Sequence, residues 1–167
     1  MLKLEHLQAN RSMRKIRIKL EVDTNPPNGA IVESKYLNFP FLSSIAAHEL
    51  PSLFAGKLHA LLCRDYIKGR DWYDFLWYIA RKCPINLTLL QAALYQTGPW
   101  MNTSQQIDID WVCNSLFTKI KSIDWQHAVL DVQRFLKPEE LPSLSLWSSA
   151  SFESQLKLLA DSDTWNS

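Results

Sequence analysis

Residues 15–23 read KIRIKLEVD, in which Ile16, Ile18, Leu20 and Val22 alternate strictly with Lys15, Arg17, Lys19, Glu21 and Asp23. A period of two places the apolar set on one face and the charged set on the other, which is the pattern of a half-buried β-strand. The alternation stops at Thr24-Asn25-Pro26-Pro27-Asn28-Gly29. There the prolines remove amide donors, and Asn-Gly accepts the positive φ of a turn. A second strand is predicted over residues 30–39 and a third over 41–47.

From Leu50 the apolar spacing becomes helical. Pro51 and Ser52 suit a helix start, and Phe54, Leu58, Leu61 and Leu62 form one stripe, with Lys57 and Arg64 sharing the opposite side. Gly69 breaks this helix and another begins near Arg70. Its apolar face is Trp72, Phe75, Leu76 and Ile79, its polar face Asp71, Asp74, Tyr78 and Arg81, and Pro84 ends it. Further helices are predicted over 87–97, 110–123 and 125–136. The last two carry the stripes Val112, Leu116, Ile120, Ile123 and Ala128, Val129, Val132, Phe135. Residues 143–151 read as a Ser-rich connector, 152–160 as a short helix and 161–167 as a frayed end.

The fold class is therefore α+β, a small antiparallel sheet followed by a C-terminal helical bundle. Residues 1–49 form the strand-rich part and 50–167 the bundle, which is expected to pack on the sheet as one globular unit. Three strands are thin for a chain of 167 residues, and a missing partner strand would leave an exposed edge open to strand addition or self-association.

Composition narrows the chemistry. The chain is 47% apolar and 21% charged with a net charge of +1, so no global field favours a polyanion and any such contact needs a local patch. The four glycines (Gly29, Gly56, Gly69, Gly98) are isolated, which excludes a Gly-rich phosphate loop and a dinucleotide fingerprint. Cys63, Cys83 and Cys113 form no CxxC pair and read as core or boundary thiols of a reducing compartment. With no leader-like start and no long apolar run, a cytoplasmic location without membrane contact is expected. His6, His48, His59 and His127 lack metalloprotease spacing, and no GxSxG elbow occurs. The seven tryptophans mostly fit apolar stripes and read as core.

The unusual polar choices concentrate in residues 55–74, AGKLHALLCRDYIKGRDWYD. If the two helices fold back across Gly69, the cations Lys57, Arg64 and Arg70 meet the carboxylates Asp71 and Asp74 at one end. Cations at that density suit a triphosphate, with Lys as a point charge and Arg as a fork. The same spacing also fits simple ion pairing, since Arg70 and Asp74 are four residues apart on one helix. Asp23, at a predicted strand end, suits a metal ligand or a proton acceptor, or equally a turn former.

The runs KLEVDTNPP (19–27), LPSLFAGKLHALLCR (50–64) and KGRDWYDFLWY (68–78) resemble the AbiEii/AbiGii nucleotidyltransferase family. These are toxins of abortive-infection and toxin–antitoxin systems built on a DNA polymerase β-like core. The resemblance covers about residues 15–82, and Lys57, Ala60, Arg64, Arg70, Asp71 and Asp74 fit its KxxAxxxR…RDxxD pattern. It implies Mg²⁺-dependent transfer of a nucleotide from an NTP to an acceptor such as the 3′ end of tRNA. It assigns catalysis to Asp23, Lys57 and Asp71. Asp23 would be the third metal-site carboxylate, helping to bind metal or taking the acceptor proton, and Lys57 the triphosphate contact. Asp71 matches the acidic position of the RDxxD helix, while Arg64, Arg70 and Asp74 shape the nucleotide pocket.

The family's GG[ST] turn and the DxD metal pair that follows it are not found ahead of these segments. A two-metal site needs carboxylates that hold both ions, and Asp23 alone does not supply them. The chain thus corresponds to the C-terminal part of such an enzyme: a truncated gene, an excised domain or half of a split enzyme. Mg²⁺ and NTP are not expected to bind tightly to it alone, and it is expected to be inactive alone. Its expected partners are an antitoxin or an N-terminal half, and an RNA acceptor. The alternative is a catalytically dead module that binds an antitoxin, a full-length relative or itself.

Overall fold

Six helices and a two-stranded hairpin make up the computed structural model, which describes residues 19–20 and 22–161. Helix α1 (Leu50–Cys63) starts on Pro51, which occupies the first turn where no amide partner is needed, and buries Phe54, Ala55, Leu58, Leu61 and Leu62. Helix α2 (Gly69–Ala80) buries Trp72, Phe75, Tyr78 and Ile79, and with them the carboxylate of Asp71. Helices α3 (Leu87–Gln96), α4 (Ile109–Lys121), α5 (Trp125–Gln133) and α6 (Ser149–Ala160) each begin on a side-chain cap. Asn86, Asp108, Asp124 and Ser148 accept from the amides of Leu89, Trp111, His127 and Ser151. Residues Leu141–Leu146 form a 3₁₀ turn between α5 and α6.

The helices solve one another's burial. Helix α1 lies between α2 and α3, α5 packs on α2, and α6 packs on α4 and α2. Phe54 stacks on Tyr78 at 4.6 Å, while Trp72, Trp125, Trp147 and Phe152 join edge-to-face and stacked contacts at the α2–α6 junction. Gly69 lets the start of α2 press on α5, because a Cβ there would stand 2.1 Å from the carbonyl oxygen of Ala128.

The sheet consists of strands β1 (Val32–Leu37) and β2 (Ser43–His48), antiparallel with Val32 opposite His48 and Leu37 opposite Ser43. Both faces of the two described strands are largely exposed. The sequences VESKYL and SSIAAH explain this, since neither face carries a continuous apolar stripe. The hairpin is fastened at its base. The buried Ser52 hydroxyl accepts from the amide of Ile31 at 3.1 Å and from Asn86 Nδ2 at 3.0 Å. Asn86 Nδ2 also donates to the carbonyl of Gly29 at 2.8 Å.

Other expectations change in detail. Of the strand predicted over 15–23, Lys19, Leu20, Val22 and Asp23 lie outside either strand, and the rest falls outside the described residues. The predicted second and third strands shorten to β1 and β2. Tyr78 and Asp71, assigned to a polar face, are buried because α2 is covered by α1 on one side and by α5 and α6 on others. The Ser-rich connector contains the end of the 3₁₀ turn and the first turn of α6. Helix α5 stops at Gln133, so Phe135, assigned to its buried stripe, swings past the helix end and is 50% exposed.

Candidate functional site

The connector between α1 and α2 brings together four of the residues singled out in the sequence. Lys57 on α1 and Arg64, the residue that caps its C-terminus, are seven residues apart and lie on one side. On α2, Asp71 and Asp74 are three apart and face them. Lys57 Nζ lies 2.6 Å from Asp74 Oδ2 and 3.7 Å from Asp71 Oδ1. Arg64 Nη1 pairs with the other oxygen of Asp71, whose side chain is only 4% exposed. The buried Asp71 carboxylate is therefore clamped by two cations, while the Lys57–Asp74 pair faces solvent.

A cleft of about 350 Å³ opens beside this cluster, between α2 and the end of α5. Its polar side carries Lys57, Lys68, Arg70, Asp71, Tyr73 and Asp74, and its apolar side Val132, Phe135 and Leu136. Arg70 does not pair with Asp74, as the intrahelical alternative would have it. Asp74 is taken by Lys57, and the Arg70 guanidinium lies over the Phe135 ring at 4.2 Å. The Lys68 ammonium is held below its ordinary pKa by burial and by the neighbouring charges of Arg64, Arg70 and Lys57, with Asp131 pulling the other way. Cations this crowded repel one another, and a bound polyanion would relieve that repulsion.

Asp23 is placed elsewhere. Its Oδ1 accepts from the amide of Asn25 at 2.9 Å, and Gln96 Nε2 fastens the Asn25 carbonyl to the end of α3 at 2.6 Å. That end of α3 meets α1 at His59, whose Nε2 lies 3.2 Å from Thr97 Oγ1, whereas Lys57 faces α2. Asp23 Oδ1 thus closes a turn on the Asn25 amide, apart from the hydrogen bonds and ion pairs of the Lys57 cluster.

A family model described as "Nucleotidyl transferase AbiEii toxin, Type IV TA system" matches residues 3–157. The chain belongs to this family. Comparison with curated proteins and with solved structures gave no match. Family membership makes the protein a nucleotidyltransferase-like toxin of a toxin–antitoxin system, and the match extends well beyond the residues 15–82 that carry the motif resemblance.

The residues at hand can be tested against the metal centre that nucleotidyltransferases generally use. Among the described residues no group of three His, Cys, Asp or Glu side chains could hold a metal ion. The two carboxylates of the cleft are committed to Lys57 and Arg64. Asp108 and Asp110 have DxD spacing, but they open α4, with Asp108 Oδ1 capping the Trp111 amide at 2.8 Å. The described residues of this AbiEii-family chain do not fit a two-metal site. No described helix is long and apolar enough to cross a membrane.

Sequence reasoning gave no role to Lys68, Tyr73 or Lys119. Lys68 adjoins the RDxxD run, and its density of charge was the available signal. Lys119 arrives from α4 to donate to the Arg64 carbonyl at 2.6 Å, capping the end of α1, and no local pattern announces that. The Tyr73 hydroxyl donates to Glu140 Oε1 at 2.6 Å, tying α2 to the segment after α5.

Proposed function

We propose that this cleft binds the triphosphate of an NTP for nucleotidyl transfer to an RNA acceptor such as tRNA. The supporting observation is the meeting of Lys57, Lys68 and Arg70 in one cleft, with Lys57 set in place by Asp71 and Asp74. Nucleotidyl transfer joins the α-phosphorus to an acceptor hydroxyl and releases pyrophosphate, so negative charge builds on the departing β- and γ-phosphates. Fixed cations aimed at that charge stabilise it without reorganising. Lys57 is the direct phosphate contact. Asp71 acts through its neighbours as a positioning residue, since it holds Lys57 and Arg64 and faces no solvent. Arg70 is free to leave the Phe135 ring for a phosphate oxygen, and Asp74 yields Lys57 to a stronger anion.

The described residues supply the phosphate side of such a reaction and not its metal side. The chain by itself is accordingly proposed to bind nucleotide without transferring it. Equilibrium dialysis with radiolabelled ATP tests the binding. Lys57→Ala should weaken it at least tenfold, as expected for loss of a charge-assisted phosphate contact. Equal affinity in the variant would remove Lys57 from the site. Mg²⁺-dependent labelling of RNA by the isolated chain would overturn the claim of inactivity.

One observation favours a second reading, an interaction module that docks an antitoxin, a relative or a second copy. The hairpin exposes Val32, Tyr36, Leu37, Phe39, Phe41, Leu42 and Ile45, an apolar surface of the kind that marks contact sites. Absence of nucleotide binding together with dimerisation in sedimentation equilibrium would favour it.

A further inference from the structure

The cleft has two chemically different sides, and the phosphate reading uses only one. Opposite the cations lie Val132, Phe135 and Leu136, at and just beyond the end of α5. Phe135 is half exposed at the cleft, and two guanidiniums stand at its ring, Arg70 at 4.2 Å and Arg134 at 4.9 Å from the centroid. Arg134 is engaged with Asp131 at 2.9 Å, whereas Arg70 also lines the cleft and can serve phosphate. An exposed ring with a cation on its face is a flat platform that a nucleobase can share, since every base has a π-face. The Tyr73 hydroxyl, on a residue that also lines the cleft, is already spent on Glu140. The side chains of Val132, Phe135 and Leu136 carry none of the paired donors and acceptors that read a base edge.

We infer that Phe135, backed by Val132 and Leu136, is the stacking wall for the base of the bound nucleotide, opened as Arg70 leaves the ring for the phosphates. This rests on the nucleotide reading of the same cleft and adds its base side. The site then recognises the triphosphate by charge and the base by area. Purine nucleotides should bind more tightly than pyrimidine ones, and ATP should bind much like GTP.

The test measures affinities of ATP, GTP, CTP, UTP and inorganic tripolyphosphate for the full chain and for Phe135→Ala, Phe135→Trp and Lys57→Ala. Phe135→Ala should weaken the purine nucleotides about tenfold, the loss expected for one base–aromatic stack. It should leave tripolyphosphate unchanged, and Phe135→Trp should retain nucleotide affinity. Because Phe135 is half exposed, the alanine variant is expected to fold, and its melting temperature checks this. Unchanged nucleotide affinity in Phe135→Ala, or an equal loss for tripolyphosphate, overturns the stacking wall and leaves the phosphate site standing. Failure of the wild-type chain to bind either tripolyphosphate or any nucleotide overturns both.

Discussion

Among the described residues Asp71 is one of two buried polar ones, and its charge is tolerated because Arg64 and Lys57 hold its two oxygens. Removing one member of a buried pair strands the other, so Asp71→Asn should cost about 2–3 kcal/mol in urea unfolding, below the range for fully buried pairs because Arg64 is partly solvated. Asp74 and Lys57 are each more than a third exposed, and Asp74→Asn should cost less than about 1 kcal/mol. Equal losses in the two variants would contradict this division. At this scale the sequence was informative about identity and poor about depth. The RDxxD spacing marked Asp71 and Asp74 alike as polar-face residues, and only the cover that α1 provides separates a buried clamp from a surface pair. Asp23 shows the opposite limit, since a carboxylate before Thr-Asn-Pro reads as turn former or as ligand, and the bond from the Asn25 amide accounts for one of its two oxygens.

Among the elements, the helices were legible because each carries an apolar stripe and most carry a cap within three residues of their start. Their ends were less so. The stripe through Ala128, Val129, Val132 and Phe135 keeps helical spacing past Gln133, yet α5 stops there and frees Phe135 for the cleft. The junction of α2 with α5 depends on Gly69, whose amide donates to Asp131 Oδ2 at 2.9 Å and whose missing side chain leaves room for Ala128. Gly69→Ala would push a methyl into that carbonyl and against Val132, and should destabilise the protein by about 2 kcal/mol. The cleft lies between these two elements, so nucleotide affinity should fall with it. A urea midpoint equal to wild type would show that the helices do not meet as described. In the sequence Gly69 marked a break between helices, and its service to a distant helix was invisible.

Over the whole molecule, the α+β order followed from the change of period at Leu50. Alternation told of strands but not of what covers them, and the faces of the described hairpin are largely exposed although its base is tied to Ser52 and Asn86. The thiols give a property of the fold as a whole. Burial pushes Cys63, Cys83 and Cys113 up from near 9 to about 11, and Tyr73 and Tyr78 are raised as well. A thiol that titrates later in the folded state keeps its proton where the unfolded chain loses it. The associated stability is therefore complete below pH 9 and is lost as pH rises towards about 11. Urea midpoints should be flat below pH 9 and fall above it, and a rise in that window would be inconsistent with buried neutral thiols.

Lys57, Lys68 and Arg70 are proposed to form a site for a nucleoside triphosphate. The most direct measurement is the thermal melt of the chain with Mg²⁺ and saturating ATP, alongside the Lys57→Ala variant. A ligand held only by the native state at about a hundred times its Kd stabilises by about 2.7 kcal/mol, or roughly 5 °C or more for a chain of this length. The account predicts a shift of that order in the wild type that shrinks with added salt and is absent in Lys57→Ala. No shift at millimolar nucleotide, or the same shift in both proteins, would contradict it.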